Sequence, residues 1–360
     1  MKFGAMVATK IDDWQLIVHA ENLGYDSAWV PDSQMIWSDC YAVLALAAWH
    51  TSRIRLGTGV AIVGTRDAPV TAHSIASVNR LAPGRVFLGI GTGHTAMRVM
   101  GFDPVKAREF REYLRVIRGL LRGEEVAYTK NGETHDIRFL HQELGFIDTE
   151  HEIPIYVAAN GPLALRAAGA YGDGRISAGN EPTARIASSL EAMREGAASV
   201  DRELPDDFHT SALTFSCVLE AGETLESDRV IDEVGSMVAS GLHYWYEAYQ
   251  LTGRDNFVPD AVRDEWEQYL RHVEEMDEPP ERRHLRIHEG HCTYLLPEER
   301  KLMTPNLIRN SGGLIGEPDD IIHQLRALEA SGLREVTLLP PMASARKIFD
   351  DFATHVMARY

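Results

Sequence analysis

The chain has 360 residues, of which 44% are hydrophobic, and a formal net charge of −17. This length accommodates either one α/β barrel with insertions or two smaller domains. The acidic charge argues against a nucleic-acid-binding protein, which needs a basic face, and against attraction to anionic membranes. No apolar run reaches the ~18 residues of a membrane-spanning helix, and Asp12 and Asp13 interrupt the N-terminal segment where a signal peptide would be apolar, so we expect a cytoplasmic protein.

Strand-like and helix-like segments alternate through the first third of the chain. The strands are short apolar runs, typical of strands that are covered on both faces, and the helices have apolar residues at helical spacing. Glycine or proline follows several of the helices. In chain order, the predicted elements are strand 1–7, helix 14–23, strand 27–30, helix 41–49, strand 53–63, helix 70–81, strand 86–90 and helix 106–121.

The alternation resumes after a predicted β-hairpin that turns at Asn131-Gly132, a dipeptide typical of two-residue hairpin turns. The following elements are strand 155–158, helix 162–170, strand 175–177, helix 183–199, strand 209–219, helix 318–331, strand 335–339 and helix 344–357. Eight strands, each with a helix, predict an α/β fold of the (β/α)8 TIM barrel type. We treat 1–360 as a single domain.

The largest insertion lies between the seventh and eighth predicted strands and covers about 228–309. It is too long for an ordinary connection, and we expect it to form extra helices at the face where barrel enzymes have their active sites. It could serve as a substrate lid or only as packing. The insertion also contains an aromatic run that could line a substrate pocket or form the core of an added helix pair, namely His243, Tyr244, Trp245, Tyr246 and Tyr249.

The segment RVFLGIGTGH, residues 85–94, carries the strongest functional pattern. Glycines at 89, 91 and 93 remove every second Cβ, so a ring or a phosphate could approach the backbone closely. The third glycine comes one residue too early for a dinucleotide-binding fingerprint. The glycines could alternatively serve only a tight turn after the strand.

Four segments at the ends of successive predicted strands carry a family resemblance: WVPDSQMIW (29–37), LGTGV (56–60), the glycine segment 89–94, and YVAANGP (156–162). Together they resemble the luciferase-like monooxygenase superfamily, and within it the branch of deazaflavin (coenzyme F420)-dependent oxidoreductases that includes methylenetetrahydromethanopterin reductase. The resemblance covers roughly the first 220 residues and the last 45. The insertion is unmatched.

The resemblance implies an oxidoreductase that transfers a hydride between an F420-type deazaflavin and a small organic substrate. It implies a ring resting on a bulge of the third strand with a non-proline cis peptide, matched here by Gly59-Val60. By the same resemblance, Asp32 and the loop of Gly91, Thr92, Gly93 and His94 lie beside the ring. The loop of Ala159, Asn160 and Gly161 receives the cofactor tail, and a homodimer is expected.

Three residues are the predicted catalytic set. His94 stands where a related sugar-phosphate dehydrogenase has an acidic residue, and it can take or give a proton near neutral pH. Asp32 is predicted to orient the proton donor, and Trp37 matches an active-site tryptophan of the family. Ser33 stands where that dehydrogenase has a catalytic histidine, so we do not expect the same chemistry. The alternatives are a solvent-facing His94, a capping or turn role for Asp32, and packing for Trp37.

Three other functions remain open on the sequence alone. An FMN-dependent monooxygenase that uses molecular oxygen has the same fold, and a non-catalytic flavin-binding protein would keep the barrel without turnover. A metal hydrolase is suggested by His284, His288, His291 and Cys292, whose histidines recur at helical spacing. Because this segment lacks the H-E-x-x-H spacing, the sequence predicts no metal.

Overall fold

The computed structural model describes residues 1–8, 10–178, 181 and 183–360. The barrel-forming strands are short and almost wholly buried, as their apolar composition predicts. The strands are β1 Lys2–Met6, β2 Ser27–Val30, β3 Arg55–Thr58, β4 Ala61–Ile62, β5 Val86–Gly91, β6 Val126–Lys130, β7 Glu133–Ile137, β8 Ile155–Ala158, β9 Gly174–Ala178, β10 His209–Thr214, β11 Ser216–Val218, β12 Leu314–Gly316 and β13 Glu335–Leu338.

Most of the helices follow a barrel strand and pack an apolar stripe against it. They are α1 Gln15–Leu23, α2 Cys40–His50, α3 Ala68–Leu81, α4 His94–Arg98, α5 Ala107–Leu121, α6 Pro162–Tyr171, α7 Thr183–Ala198, α8 Asp228–Thr252, α9 Arg263–Glu274, α10 Arg283–Ile287, α11 Pro305–Arg309, α12 Pro318–Ala330 and α13 Ala345–His355. Within the described ranges, no helix is both long and apolar enough to cross a membrane.

In the described part of the chain, parallel strands close into an eight-stranded barrel. The order around it is β1, β2, β3 with β4, β5, β8, β9, β10 and β13, and β13 pairs with β1 to complete the circle. The predicted (β/α)8 TIM barrel is therefore confirmed. All the strand C-termini point to one end, which is the end where barrel enzymes build their sites.

The third barrel strand is interrupted, and the prediction of one continuous strand over 53–63 is wrong in its middle. β3 and β4 are separated by Gly59 and Val60, which are joined by a cis peptide bond. The cis peptide expected from the family resemblance is thus confirmed. Glycine is needed at 59 because a Cβ there would lie 2.7 Å from the Met6 side chain and 2.9 Å from Trp29 Cβ.

Aromatic and polar side chains fill the interior of the barrel. Trp29 and Phe87 rings lie 4.4 Å apart, and Phe87 lies 5.2 Å from Tyr156. Glu335, at the start of β13, accepts hydrogen bonds from Trp29 Nε1 at 2.9 Å and Ser27 Oγ at 2.6 Å. Because Ser27 and Glu335 begin their strands, this network lies away from the C-terminal face.

The seventh predicted strand, 209–219, is two strands in the structure. β10 ends at Thr214, and after Phe215 the chain leaves the barrel as β11, which pairs in parallel with β12. Gly313 makes this exit possible, since a Cβ there would lie 2.4 Å from the Phe215 ring. The predicted hairpin at Asn131-Gly132 is confirmed, because β6 and β7 pair antiparallel and both turn residues have positive φ.

The insertion emerges between β11 and β12 and contains the expected extra helices, α8 to α11. It has an apolar core of its own, in which Trp266 packs against Trp245 at 6.5 Å and Tyr269 at 6.2 Å between ring centroids. Tyr246 and Tyr249 also contact these rings, while Tyr244 is exposed. The aromatic run is therefore divided between the core of the insertion and a cavity wall, which includes His243 and Tyr244.

Candidate active site

A cavity of about 670 Å³ lies between the barrel and the insertion. The barrel contributes Leu213 of β10 and residues from the segments that follow β5, β8 and β9, namely His94, Thr95, Asn160, Glu181 and Arg185. The insertion contributes Met237, His243, Tyr244, Glu247, His288, His291 and Cys292. The volume is in the range of small-molecule and cofactor sites.

His94 is the predicted catalytic residue that lines this cavity. It begins α4 directly after Gly93, whose φ of 87° lies in the left-handed region that glycine adopts without strain. The His94 ring packs edge-to-face on Tyr244 at 5.4 Å. The His94 side chain is exposed toward the cavity, and desolvation by the surrounding protein atoms lowers its pKa from the usual value, despite the opposing field of Glu247. At neutral pH, His94 therefore presents an uncharged imidazole to the cavity.

The alternating glycines of β5 make room for the bulge of the third strand. A Cβ at Gly89 would lie 2.1 Å from the Thr58 carbonyl oxygen, and one at Gly91 would lie 3.0 Å from Val60 Cγ2. The expectation that Gly89 leaves bare backbone for a ligand is wrong, because protein atoms occupy that space. Val60 itself is half-buried, in an apolar cluster that includes the cavity residues Leu213 and Met237.

Asp32 is hydrogen-bonded to the strand that follows the bulge. It is 3% exposed, forms an ion pair with Arg66, and accepts a hydrogen bond from the backbone N–H of Ile62 at 3.2 Å. Burial raises the pKa of Asp32, and Arg66 offsets part of that rise. Sequence reasoning missed Arg66, although a lone basic residue in the loop after the third strand is an available partner for Asp32.

Trp37 connects the barrel to the insertion. Its backbone N–H donates to the Ser33 carbonyl at 3.0 Å, which forms a turn after β2. Its indole Nε1–H donates to Thr293 Oγ1 at 3.0 Å. The side chain is half-buried, so this bond sets the position of the turn relative to the insertion.

The predicted tail-binding loop precedes α6. Ala159 is buried, whereas Asn160 and Gly161 are exposed. The Asn160 carbonyl accepts a hydrogen bond from Arg185 Nη2 at 3.1 Å, and Arg185 itself remains exposed on the cavity wall. An exposed arginine beside the N–H groups that begin a helix is a favourable environment for an anionic group.

The helical spacing of the histidines in the insertion does not place them on one helical face. α10 ends at Ile287, so His284, His288 and His291 do not share one helical face. His284 lies beside Gly101, while His288 and His291 join His243 of α8 on the cavity wall. Sequence reasoning placed His243 in the aromatic run but missed its grouping with His288 and His291, which are more than forty positions away.

The family model for luciferase-like monooxygenases matches residues 12–335. The chain belongs to the luciferase-like monooxygenase family. The resemblance inferred from the four strand-end segments is thereby confirmed.

Among curated proteins, this luciferase-like protein is 36% identical to 5,10-methylenetetrahydromethanopterin reductase of Methanolobus tindarius, over 45% of this chain and 48% of that protein. It is 35% identical to F420-dependent glucose-6-phosphate dehydrogenase of Kineococcus radiotolerans, over 59% of this chain and 66% of that protein. The matched segments thus span about half to two thirds of these relatives.

Solved structures share the fold of the luciferase-like protein along its whole length. The coenzyme F420-dependent tetrahydromethanopterin reductase of Methanopyrus kandleri superposes with a TM-score of 0.72 at 22% identity, covering 100% of this chain and 99% of that one. The oxygenating constituent of 3,6-diketocamphane monooxygenase from Pseudomonas putida, in complex with FMN, gives 0.65 at 15% identity, with 100% and 98% covered.

Proposed function

We propose that this luciferase-like protein is an F420-dependent oxidoreductase that transfers a hydride between the deazaflavin ring and a small organic substrate. The observation that carries the proposal is a cavity at the C-terminal end of the barrel that presents the imidazole of His94, with Val60 of the third-strand bulge in one apolar cluster with the cavity residues Leu213 and Met237. Family membership and relatives described as F420-dependent support it. We further propose a cytoplasmic homodimer.

The residues at the cavity fit such a cofactor. Val60 and its apolar neighbours Leu213 and Met237 suit one face of a planar ring, since they offer no competing hydrogen bonds. Arg185, Asn160 and Gly161 suit an anionic tail, because a Cβ at Gly161 would meet no described atom within 4 Å. When bound, the deazaflavin supplies the hydride chemistry.

The chain's own residues would position the reactants and manage the proton. His94 Nδ1 or Nε2 accepts a proton from a substrate that is being oxidised, or returns it in the reverse direction. Asp32 does not line the cavity and acts as a positioning residue through Ile62 and Arg66. The insertion would act as the substrate lid, with Trp37 fixing its contact to the barrel and reducing access of water.

An absorbance titration of the purified protein with F420 and, separately, with FMN tests this function. We expect saturable binding of F420, weaker or no binding of FMN, and about tenfold weaker F420 binding by Arg185→Ala, the loss of one charge-assisted contact. Arg194→Ala is the control, because Arg194 is an exposed arginine of α7 that pairs with Glu191. Tight binding of FMN without F420 would favour the monooxygenase, and binding of neither would refute the proposal.

A further inference from the structure

Three imidazoles of the insertion converge at the edge of the cavity, on the side formed by α8 and the segment after α10. His243, His288 and His291 are all buried, and one ring nitrogen from each lies within 4.8 Å of the others. The proposed hydride-transfer mechanism uses none of them.

The Nε2 atom of each ring lies at hydrogen-bonding distance from a side-chain oxygen. His243 Nε2 is 2.6 Å from Glu299 Oε1, His288 Nε2 is 2.6 Å from Glu247 Oε1, and His291 Nε2 is 3.1 Å from Thr95 Oγ1. A carboxylate or hydroxyl partner on the second nitrogen is the arrangement that fixes the tautomer and orientation of metal-binding histidines. In this arrangement, Nδ1 of each ring is the nitrogen that remains available to bind a metal ion.

The Nδ1 atoms have few other hydrogen-bond partners in the described structure. His243 Nδ1 is buried and finds no hydrogen-bond partner among the described residues. His288 Nδ1 and His291 Nδ1 face each other at 3.4 Å. Two imidazole nitrogens bound to one tetrahedral zinc ion, with Zn–N bonds of ~2.0–2.1 Å, are about 3.3 Å apart.

We propose that His243, His288 and His291 form a binding site for Zn²⁺ that keeps one coordination position open toward the cavity. Imidazole nitrogens suit Zn²⁺ as ligands, and a three-histidine set with a free fourth position is typical of zinc ions that bind exchangeable ligands. The nearby Glu247 and Glu299 supply two carboxylates that balance the charge of a divalent cation. The sequence-based prediction of no metal is replaced by this proposal.

The ligand at the open position would be an oxygen donor, either water or the carbonyl or hydroxyl oxygen of a small molecule in the cavity. Because His94 lines the same cavity, such an oxygen could be held by the metal beside the group that handles the proton. This last point rests on the proposed function. The metal site itself does not.

Metal binding is tested on the untagged full-length chain without any flavin or deazaflavin. After treatment with a chelator, the protein is titrated with Zn²⁺ in competition with a chromophoric chelator, and separately with Co²⁺ while visible absorbance is recorded. We expect one ion per chain and the strong visible bands of four-coordinate cobalt. Acetohydroxamate should shift those bands, since it can occupy the open position.

Variants locate the site. His288→Ala and His291→Ala should weaken binding by roughly 100-fold or more, and Glu247→Gln, which removes only an outer partner, by about 10- to 100-fold. His284→Ala is the matched control, because His284 lies in the same segment but outside the cluster, and it should bind like the wild type. Circular dichroism confirms that each variant is folded.

A wild-type chain that binds no stoichiometric Zn²⁺ and gives only the weak absorbance of six-coordinate cobalt would overturn the proposal. The three histidines would then be a hydrogen-bonded network. Equal loss of binding in His284→Ala would also overturn it, by placing the metal elsewhere. Either failure leaves F420 binding untouched, so the two proposals are tested separately.

Discussion

At the residue scale, His94 is the group on which the proposed chemistry depends. Replacing it by alanine should lower cofactor-saturated turnover by at least about tenfold, or 1.4 kcal/mol of barrier, because the proton acceptor is lost. The pKa of His94 is held below its usual range. For substrate oxidation, we therefore expect turnover to rise with pH through a pKa below 6.5 and to level off above it. His355→Ala is the control, because His355 is an exposed histidine of α13 that does not line the cavity.

Asp32 and Arg66 lead to a prediction about stability rather than chemistry. Breaking a buried ion pair leaves an uncompensated charge, so Arg66→Ala should lower the free energy of unfolding by about 3 kcal/mol in urea. Asp39→Asn is the control, since it removes the exposed second partner of Arg66 at 3.0 Å and keeps a side chain that can cap α2. If Asp32→Asn reduces turnover strongly while stability stays unchanged, Asp32 has a direct catalytic role.

At the scale of elements, β5 packs closely against the interrupted third strand at Gly89. Gly89→Ala would place a Cβ 2.1 Å from the Thr58 carbonyl oxygen, which belongs to backbone and cannot move aside. We expect a loss of about 3 kcal/mol in unfolding free energy.

Gly161→Ala serves as the comparison for Gly89→Ala, because its Cβ would enter open space in the described structure. Chemical denaturation should show a change within about 0.5 kcal/mol for Gly161→Ala. Equal stability of the two variants would contradict the packing role assigned to Gly89.

The elements that sequence could predict are those set by local chemistry. The strand 86–90 is uninterrupted and apolar, and Asn131-Gly132 has the backbone freedom that a tight hairpin needs. The exit of the chain at Phe215 was not predictable, because it depends on Gly313, which is nearly a hundred residues away. The grouping of His243 with two other histidines was missed for the same reason, since those histidines come from a different part of the insertion.

At the scale of the whole molecule, the closed barrel buries a carboxylate in its interior. Burial alone would raise the pKa of Glu335, but the His209 imidazole 3.1 Å away and the hydrogen bonds from Ser27 and Trp29 outweigh it and hold the pKa below its usual value. The folded state therefore gains stability that is fully present above pH 4.5 and is lost as the pH falls through the folded-state pKa.

Glu335→Gln should make the acid limb of the stability profile flatter than in the wild type, because the titrating group is gone. Equilibrium unfolding between pH 3 and 7 measures how the free energy of unfolding depends on pH, which is linked to proton binding in the folded and unfolded states. Glu267→Gln is the control, as Glu267 is an exposed carboxylate of α9 outside this network. Identical acid limbs for Glu335→Gln and the wild type would contradict the assignment.

The barrel places every candidate residue at one end, where we propose that a deazaflavin ring binds. A crystal structure of the protein with F420 tests this most directly. We predict the ring against Val60, with His94 within hydrogen-bonding reach of the substrate space above it and the tail running toward Arg185. A ring bound outside the barrel mouth, or an F420-saturated crystal with this cavity still filled only by solvent, would refute this placement of the cofactor.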